Sequence, residues 1–328
     1  MATLASDLES VAVAGELAPT GEFGLLALLL PRFAQGRMVR VGPGDDAAVL
    51  DLPGPVVASV DVLVEGVHFR RDWFEAADVG AKAAAVSMSD VAAMAARPVA
   101  LLVGLVVPAD VPVEWLIGLA DGLAGEAEPQ GCSVVGGDTV AGPTLAVSVT
   151  ALGVADGPVV RRSGARPGDV VAVAGRLGWA AAGLAVLQRG FRSPRELVDA
   201  QRRPRPPYAA GPSAGAAGAT AMVDVSDGLL ADLGHLAQAS GVGLVVDAEA
   251  VGLPDELAAM GRGLGVDPWR WVLTGGEDHA LAACFPAGTA LPEGWRPVGR
   301  VEQGEGVRVR GVDTEGWPTG WDHFSRPG

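Results

Sequence analysis

The chain has 328 residues, enough for one large domain or two ordinary ones. Its formal net charge of −15 argues against nucleic acid as a partner, because phosphate backbones bind basic faces. The longest apolar runs, LLALLL and VALLVGLVV, are far shorter than the ~20 residues that span a bilayer, so no membrane is expected as a partner.

Cysteine and lysine are rare in this sequence. Cys132 and Cys284 are far apart and lack metal-site spacing, which is typical of a reduced cytoplasmic protein. The first residues show no basic region of a secretory signal, as expected for that compartment. Lys82 is the one lysine and follows Ala81, so a P-loop for nucleotide phosphates is excluded.

The first half of the chain reads as strands alternating with helices. A strand running into a loop is predicted over 55–66. A helix of small residues is predicted over 78–98, with Asp78 as its N-cap and Pro98 as its stop. A buried strand (VALLVGLVVP), an amphipathic helix (VPVEWLIGLADGLAGEAE) and two further strands (CSVVGGDT, TLAVSVTALGVA) follow.

A break at VADGPVVRRSGARPGD precedes a second alternating half. Its predicted strands are VVAVAG, ATAMVDVSDG, VGLVVDAE and DHALAACFP, and one of its helices is expected near 252–262. The pattern predicts an α/β (α+β) protein with two domains, residues 1–158 and 159–328.

Seven aspartates lie at strand ends, in glycine turns or in an apolar helix: Asp45, Asp46, Asp61, Asp90, Asp138, Asp224 and Asp227. Taken singly, each is an ordinary turn or N-cap residue. After GDD, the stretch Ala47–Leu50 reads as chain entering a core, which would place two repelling carboxylates at the mouth of a hydrophobic element.

Asp90 is the hardest of these to explain as structural. A carboxylate among Ala, Met and Val in mid-helix costs several kcal/mol unless it is paired. Lys82 and Arg97 are too far along the chain for an i,i+4 pair. Carboxylates without His or Cys spacing favour Mg²⁺ over zinc, so the sequence predicts metal-bridged phosphate chemistry.

Together these stretches resemble the thiamine-monophosphate kinase family, in the superfamily of aminoimidazole ribonucleotide synthetase and selenophosphate synthetase. The resemblance follows the chain in order through GEFGLL, GDDAAV, SVDVLVEGVHF, SMSDVAAMAARP, GGDT, RRSGARPGD, DVSDGLLADLGHLA, LTGGEDH and GWDHF. It implies an N-terminal α/β domain that binds ATP and magnesium and dimerises through its sheet. A C-terminal α/β domain would follow, with the nucleotide between the two.

The resemblance also implies an activity, the ATP-dependent phosphorylation of thiamine monophosphate to thiamine diphosphate, the last step in making that cofactor. No general base is assigned, because the acceptor phosphate is already largely ionised, with a second pKa of ~6. Catalysis would consist of positioning and of charge neutralisation by several magnesium ions.

The site residues implied by the resemblance fall into three groups. The magnesium positions are Asp46, Ser59, Val60, Asp61, Asp90, Asp138, Asp224 and, for a further ion, Asp227. The ATP positions are Gly137, Asp138, Arg162 and Ser226. The thiamine positions are His68, Glu277 and Trp321.

Three departures from the family pattern stand out. Val60 replaces a frequent hydroxyl residue and leaves only a backbone carbonyl as ligand. Ala120 falls where some relatives place a tyrosine near the nucleotide, and GGEDH replaces the commoner GGEDY. Two alternatives stay open: another ATP-using enzyme of the superfamily, of the selenophosphate or aminoimidazole ribonucleotide synthetase kind, and a regulatory protein that binds metal and nucleotide without turnover.

Overall fold

The computed structural model describes residues 17–321, and these form two compact units. The first unit contains the described chain up to Asp51, with Val60–Ala84 and Val99–Ala151. The second contains Leu52–Ser59, Ala85–Pro98 and the chain from Leu152. Mixed helices and sheets confirm the α/β (α+β) class, while the domain boundary at residue 158 stays a prediction.

A four-stranded sheet has the order β3-β6-β4-β5. Its strands are β3 Val56–Val64, β4 Arg97–Val107, β5 Ser133–Ala141 and β6 Ala146–Val154. The helices in this part of the chain are α1 Leu17–Leu29, α2 Ala76–Ala93 and α3 Val113–Ala127. Helices α2 and α3 approach closely at Gly80. A Cβ at this position would lie 2.0 Å from the carbonyl oxygen of Leu119, so only glycine fits there.

The GDD sequence lies at the tip of a small hairpin. Strands β1 Val39–Val41 and β2 Val49–Leu50 pair antiparallel. The prediction that the chain enters a core after GDD is wrong, since β2 has two residues and Val49 is 41% exposed. Water therefore solvates Asp45 and Asp46, and their mutual repulsion is weaker than a buried position would make it.

A six-stranded, mostly antiparallel sheet lies in the second unit, in the order β12-β9-β11-β7-β10-β8. Its strands are β7 Val170–Ala174, β8 Ala221–Val225, β9 Gly243–Asp247, β10 Ala280–Phe285, β11 Trp295–Glu302 and β12 Val307–Arg310. The helices of this region are α4 Trp179–Gln188, α5 Arg195–Arg202, α6 Ala210–Ala216, α7 Leu229–Ser240, α8 Ala248–Val251, α9 Asp255–Leu264 and α10 Pro268–Thr274.

The end of helix α2 corrects one prediction. Pro98 does not stop the helix but is the second residue of β4. The helix ends earlier because Ala95 has a φ of 59° and the amide of Ala96 donates back to the carbonyl of Val91. That pattern is a left-handed C-terminal turn, here formed without glycine. Within residues 17–321, no helix is long and apolar enough to cross a membrane.

Candidate active site

The turns after β8 and before β10 bring together four of the predicted site residues. Strand β8 is buried and ends at Val225, so Ser226 and Asp227 emerge directly from the core. The amide of Glu277 donates to the carbonyl of Ser226 at 2.7 Å, and the amide of Trp321 donates to that of Asp227 at 2.9 Å. Positions predicted for nucleotide, metal and acceptor are thus neighbours in this unit.

The conformation of Glu277 is specialised. Its φ of 68° lies in the left-handed region, which is uncommon for a residue other than glycine. Its Oε2 accepts a hydrogen bond from Gln201 Nε2 at 2.5 Å. Strain of this kind persists only where surrounding contacts fix it, and such positions concentrate at functional sites.

Asp224 presents a buried carboxylate oxygen at the same turn. Its side chain is 4% exposed, and its Oδ2 accepts no hydrogen bond within the described chain. Nδ1 of His279 lies 3.4 Å from that oxygen, so the histidine of GGEDH contacts a predicted metal ligand rather than only altering packing. A buried carboxylate oxygen without a donor fits a cation ligand, because an unpaired buried charge is costly.

Asp232 is a member of this carboxylate group that the sequence reading missed. It lies on helix α7, and its Oδ2 accepts hydrogen bonds from the amides of Asp227 and Gly228, both at 3.0 Å. Burial, followed by the charges of Asp224 and Asp227, raises the pKa of Asp232 to about 7. Its spacing of five residues after Asp227 was the available signal, but it reads equally well as an ordinary helix position.

Asp278 fixes the loop before helix α4. Its carboxylate accepts from the amides of Gly178 at 2.5 Å and Ala180 at 2.9 Å, which the helix leaves unsatisfied. Burial raises the pKa of Asp278 to about 7. The acid beside Glu277 therefore supports the turn, whereas Glu277 itself is partly accessible.

Ser59 and Asp90, two predicted magnesium positions, form a pair in the second unit. The hydroxyl of Ser59 donates to Asp90 Oδ2 at 2.5 Å, although 31 positions separate the two. This contact answers part of the question raised by a mid-helix carboxylate.

Arg162 lies in the same unit with an exposed side chain, and its carbonyl accepts from Ser240 Oγ at 3.1 Å.

In the first unit, the predicted metal and ATP positions are mostly at the surface. Asp46 is exposed, and its amide donates to Asp45 Oδ1 at 2.8 Å. Asp138 is also exposed, at a point where β5 runs parallel to β4. The preceding Gly137 packs so closely that a Cβ would lie 1.8 Å from the carbonyl oxygen of Val103.

His68 is partly exposed and lies in a loop whose backbone contacts the side chain of Lys82. Its Nδ1 accepts a hydrogen bond from the amide of Val64 at 3.0 Å, so the neutral ring carries its proton on Nε2. Lys82 is fully buried, with Nζ 3.3 Å from the carbonyl oxygen of His68 and 5.4 Å from the ring centroid of Phe74. The one lysine therefore supports the backbone of a predicted substrate residue.

The remaining positions are less converged. Val60 is 59% exposed and Ala120 is 1% exposed inside helix α3. Asp61, in the middle of β3, is partly buried. Over the described range 17–321, no three His, Cys, Asp or Glu side chains form a group that could hold a metal ion. Trp321 is the last described residue, so the rest of GWDHF lies outside the described part.

Comparison with known proteins extends this geometry. The model of the AIR synthase related protein N-terminal domain matches residues 44–155, and that of the C-terminal domain matches residues 166–310. Thiamine-monophosphate kinase from Mycobacterium tuberculosis (strain CDC 1551 / Oshkosh) is 47% identical over 94% of this chain and 92% of its own. The chain belongs to the thiamine-monophosphate kinase family.

Solved structures of this family agree with the fold. Thiamine-monophosphate kinase from Stenotrophomonas maltophilia K279a aligns with a TM-score of 0.75 at 35% identity, covering 88% of this chain and 94% of that one. AaThiL complexed with AMPPCP and TMP also aligns with a TM-score of 0.75, at 36% identity, covering 95% of this chain and 100% of that one. The expected two-domain fold of the superfamily is confirmed.

Proposed function

We propose that this chain transfers a phosphoryl group from ATP to thiamine monophosphate and so forms thiamine diphosphate. The observation that carries the proposal is the pair of backbone hydrogen bonds that join Glu277 to Ser226 and Trp321 to Asp227. The four residues are neighbours, which supports the proposal that Glu277 and Trp321 bind the acceptor next to the nucleotide at Ser226 and a metal ion at Asp227. Family membership and a relative solved with AMPPCP and TMP support the same activity.

The chemistry asks for positioning more than for proton transfer. The attacking group is a phosphate oxygen that is largely ionised near neutral pH, so a general base is unnecessary. Glu277 and Trp321 would hold the thiamine side in the second unit, and His68 would offer its Nε2 proton in the first. Arg162, with its exposed guanidinium, would neutralise charge on the triphosphate.

Magnesium is part of this proposal, and the donor set supports it. The residues that would hold it are Asp46, Ser59, the Val60 carbonyl, Asp61, Asp90, Asp138, Asp224 and Asp227. The buried Oδ2 of Asp224, which accepts no hydrogen bond within the described chain, is the best single argument for a cation. When bound, magnesium neutralises phosphate charge and orients the phosphate oxygens. The proposed ATP positions are Gly137 and Asp138 in the first unit and Arg162 and Ser226 in the second.

The decisive experiment measures ADP release with ATP and Mg²⁺ in the presence and absence of thiamine monophosphate. We expect ADP release only when thiamine monophosphate is present, and thiamine diphosphate as the product. Free thiamine should be turned over only slowly. Equal ADP release with and without thiamine monophosphate would favour another reaction of the superfamily. Nucleotide binding without any release would favour a regulatory protein.

A homodimer is the assembly we propose, and strand β3 supports it. Its alternate side chains Val56, Val60 and Val62 are 52%, 59% and 49% exposed. Leu102 on β4 and Val140 on β5 are exposed to 38% and 48%. An apolar sheet face of this kind is normally covered, and a second copy of the chain is the simplest cover.

Sedimentation velocity tests this assembly. Val62→Lys and Leu102→Lys should shift the protein towards monomer, whereas Phe191→Ser, at a 57% exposed phenylalanine outside this sheet, should not. A wild-type chain that sediments as a monomer would contradict the proposal.

We also propose a cytoplasmic location, which the two free, buried cysteines support.

A further inference from the structure

A cavity of about 340 Å³ lies at one end of the central strands β7 and β11 of the six-stranded sheet in the second unit. Its walls come from the loop after β7, the first residue of α4, the segment after α8, and β11. The lining residues are Gly175, Arg176, Leu177, Trp179, Val251, Gly252, Leu253, Pro254 and Arg296. Two of these carry a guanidinium group and none carries a carboxylate, in a chain whose net charge is −15.

Arg296 contributes a positive charge that no acidic residue of the described chain pairs with. It follows Trp295, which pairs with Ala174, so its side chain lies beside the end of β7. Nη1 donates to the carbonyl of Gly175 at 2.9 Å, and no ion pair with Arg296 occurs within residues 17–321. That hydrogen bond uses one of five guanidinium N–H groups. Burial lowers the pKa of Arg296, which is the effect of a cation that lacks a compensating anion.

Arg176 is held in place by stacking. Its guanidinium carbon lies 4.8 Å from the ring centroid of Trp179. Its contact with Glu196, at 3.4 Å, is with a carboxylate that is 63% exposed, and such pairs are weak. The stacked guanidinium keeps its N–H edge available, because an aromatic ring binds the face of the group.

We propose that this cavity binds the oxyanion of a small molecule, a phosphate ester or a carboxylate, through Arg176 and Arg296. The guanidinium fork matches both kinds of oxyanion with paired hydrogen bonds. Leu177, Val251 and Leu253 provide an apolar wall, so the rest of the ligand is uncharged. The volume falls at the lower end of the range of small-molecule sites.

The cavity is joined to the candidate active site within the same unit. Asp278, next to Glu277, holds the amide of Gly178 in the loop that forms one wall. Binding is nonetheless independent of the phosphoryl transfer proposed above. It can therefore be measured with neither ATP nor thiamine monophosphate present.

Isothermal titration calorimetry of the full chain provides the test. Inorganic phosphate, pyrophosphate and citrate are titrated separately at constant ionic strength, with EDTA present so that carboxylates cannot hold phosphate through metal ions. We expect saturable binding of at least one anion, weakened at least fivefold by Arg296→Gln and by Arg176→Gln. A preference for pyrophosphate or for citrate identifies the oxyanion.

Arg310→Gln, at an exposed arginine on β12, is the matched control and should leave the dissociation constant unchanged. A loss of binding in Arg162→Gln as large as that in the two cavity variants would assign the anion to the candidate active site and would overturn the proposal. If Arg296→Gln does not fold, Arg176→Gln decides, since it leaves the Gly175 contact intact. No saturable binding of the three anions, or wild-type binding by both cavity variants, would overturn the proposal.

Discussion

The GDD hairpin and the turn after β8 present the same functional group in opposite ways. Asp46 is exposed on a hairpin whose second strand has two residues. Asp224 is 3% exposed on a fully buried strand, and Asp232 lies beside it under two backbone amides. The fold therefore holds the carboxylates after β8 in fixed positions, whereas the carboxylate on the GDD hairpin is solvated and can change conformation. A preformed site loses less free energy when it binds an ion. The buried carboxylates should therefore contribute more than the GDD hairpin to magnesium affinity and to the rate of phosphoryl transfer.

The largest expected effect comes from Asp224→Asn. It keeps the shape of the side chain but removes the charge with which Asp224 is proposed to bind magnesium, so kcat/KM should fall at least about 100-fold, ~2.7 kcal/mol. Steady-state ADP release measures it. Asp255→Asn, at an exposed position outside every motif, serves as control. Activity within about threefold of wild type would make Asp224 a structural carboxylate.

Asp46→Asn should have a smaller effect, about tenfold in kcat/KM, that higher magnesium partly restores. If Asp46 binds magnesium as proposed, water can replace this solvated side chain at moderate cost. Asp45→Asn is the matched control, because its amide oxygen can still accept from the Asp46 amide. A loss as large as that of Asp224→Asn, insensitive to magnesium, would remove the distinction between the two regions.

Magnesium should raise the melting temperature of the wild-type chain relative to EDTA. Ions that bind only the folded carboxylates stabilise it by about 2.7 kcal/mol per site at 100 times Kd. That corresponds to a shift of several degrees, at ~2–4 °C per kcal/mol. Differential scanning calorimetry should show the shift shrinking more in Asp224→Asn than in Asp46→Asn. Equal shrinkage would mean that burial does not set the affinity.

The smallest expected effect is a change in pH dependence at Asp278, another buried carboxylate. Its folded-state pKa of about 7 exceeds the ordinary 3.8, so the folded chain binds this proton more tightly. The resulting stability is fully present below pH ~4 and is lost as the pH rises to about 7. In EDTA, the melting temperature of Asp278→Asn should therefore fall less between pH 5 and 7 than that of wild type.

Asp267→Asn is the control for that experiment. Asp267 also accepts from a helix amide, that of Trp269, but it is exposed. This variant should keep the wild-type pH dependence. Identical slopes in wild type and both variants would show that the buried proton does not contribute to stability.

Local sequence patterns predicted the elements that carry the site better than the contacts within it. The apolar run before Asp224 predicts a strand that ends near this residue, and the glycine turn before Glu277 predicts a strand that follows it; β8 ends at Val225 and β10 begins at Ala280. The Ser59–Asp90 contact joins residues 31 positions apart, and the resemblance, not the local pattern, had grouped them. Asp278 bonds to amides about 100 positions away, a pairing that no helix or strand period encodes.

Two errors have a common physical cause. The sequence predicts that Pro98 stops the helix, but the left-handed residue Ala95 ends it first. Val49 was placed in a core because it is apolar, yet it lies on an exposed hairpin. In both cases the preference of a single residue type did not decide the local structure, because such a preference is worth only a fraction of the energy of packing.

The scarcity of thiols gives each compact unit its own chemical reporter. Cys132 is buried in the first unit and Cys284 in the second, and burial raises the pKa of each thiol to about 12. Iodoacetamide should therefore modify each cysteine only when its unit opens. Because the two labelled peptides differ in mass, one time course in urea would follow both units separately. Acylation of Lys82, also fully buried, would give the first unit a second, amine-based clock.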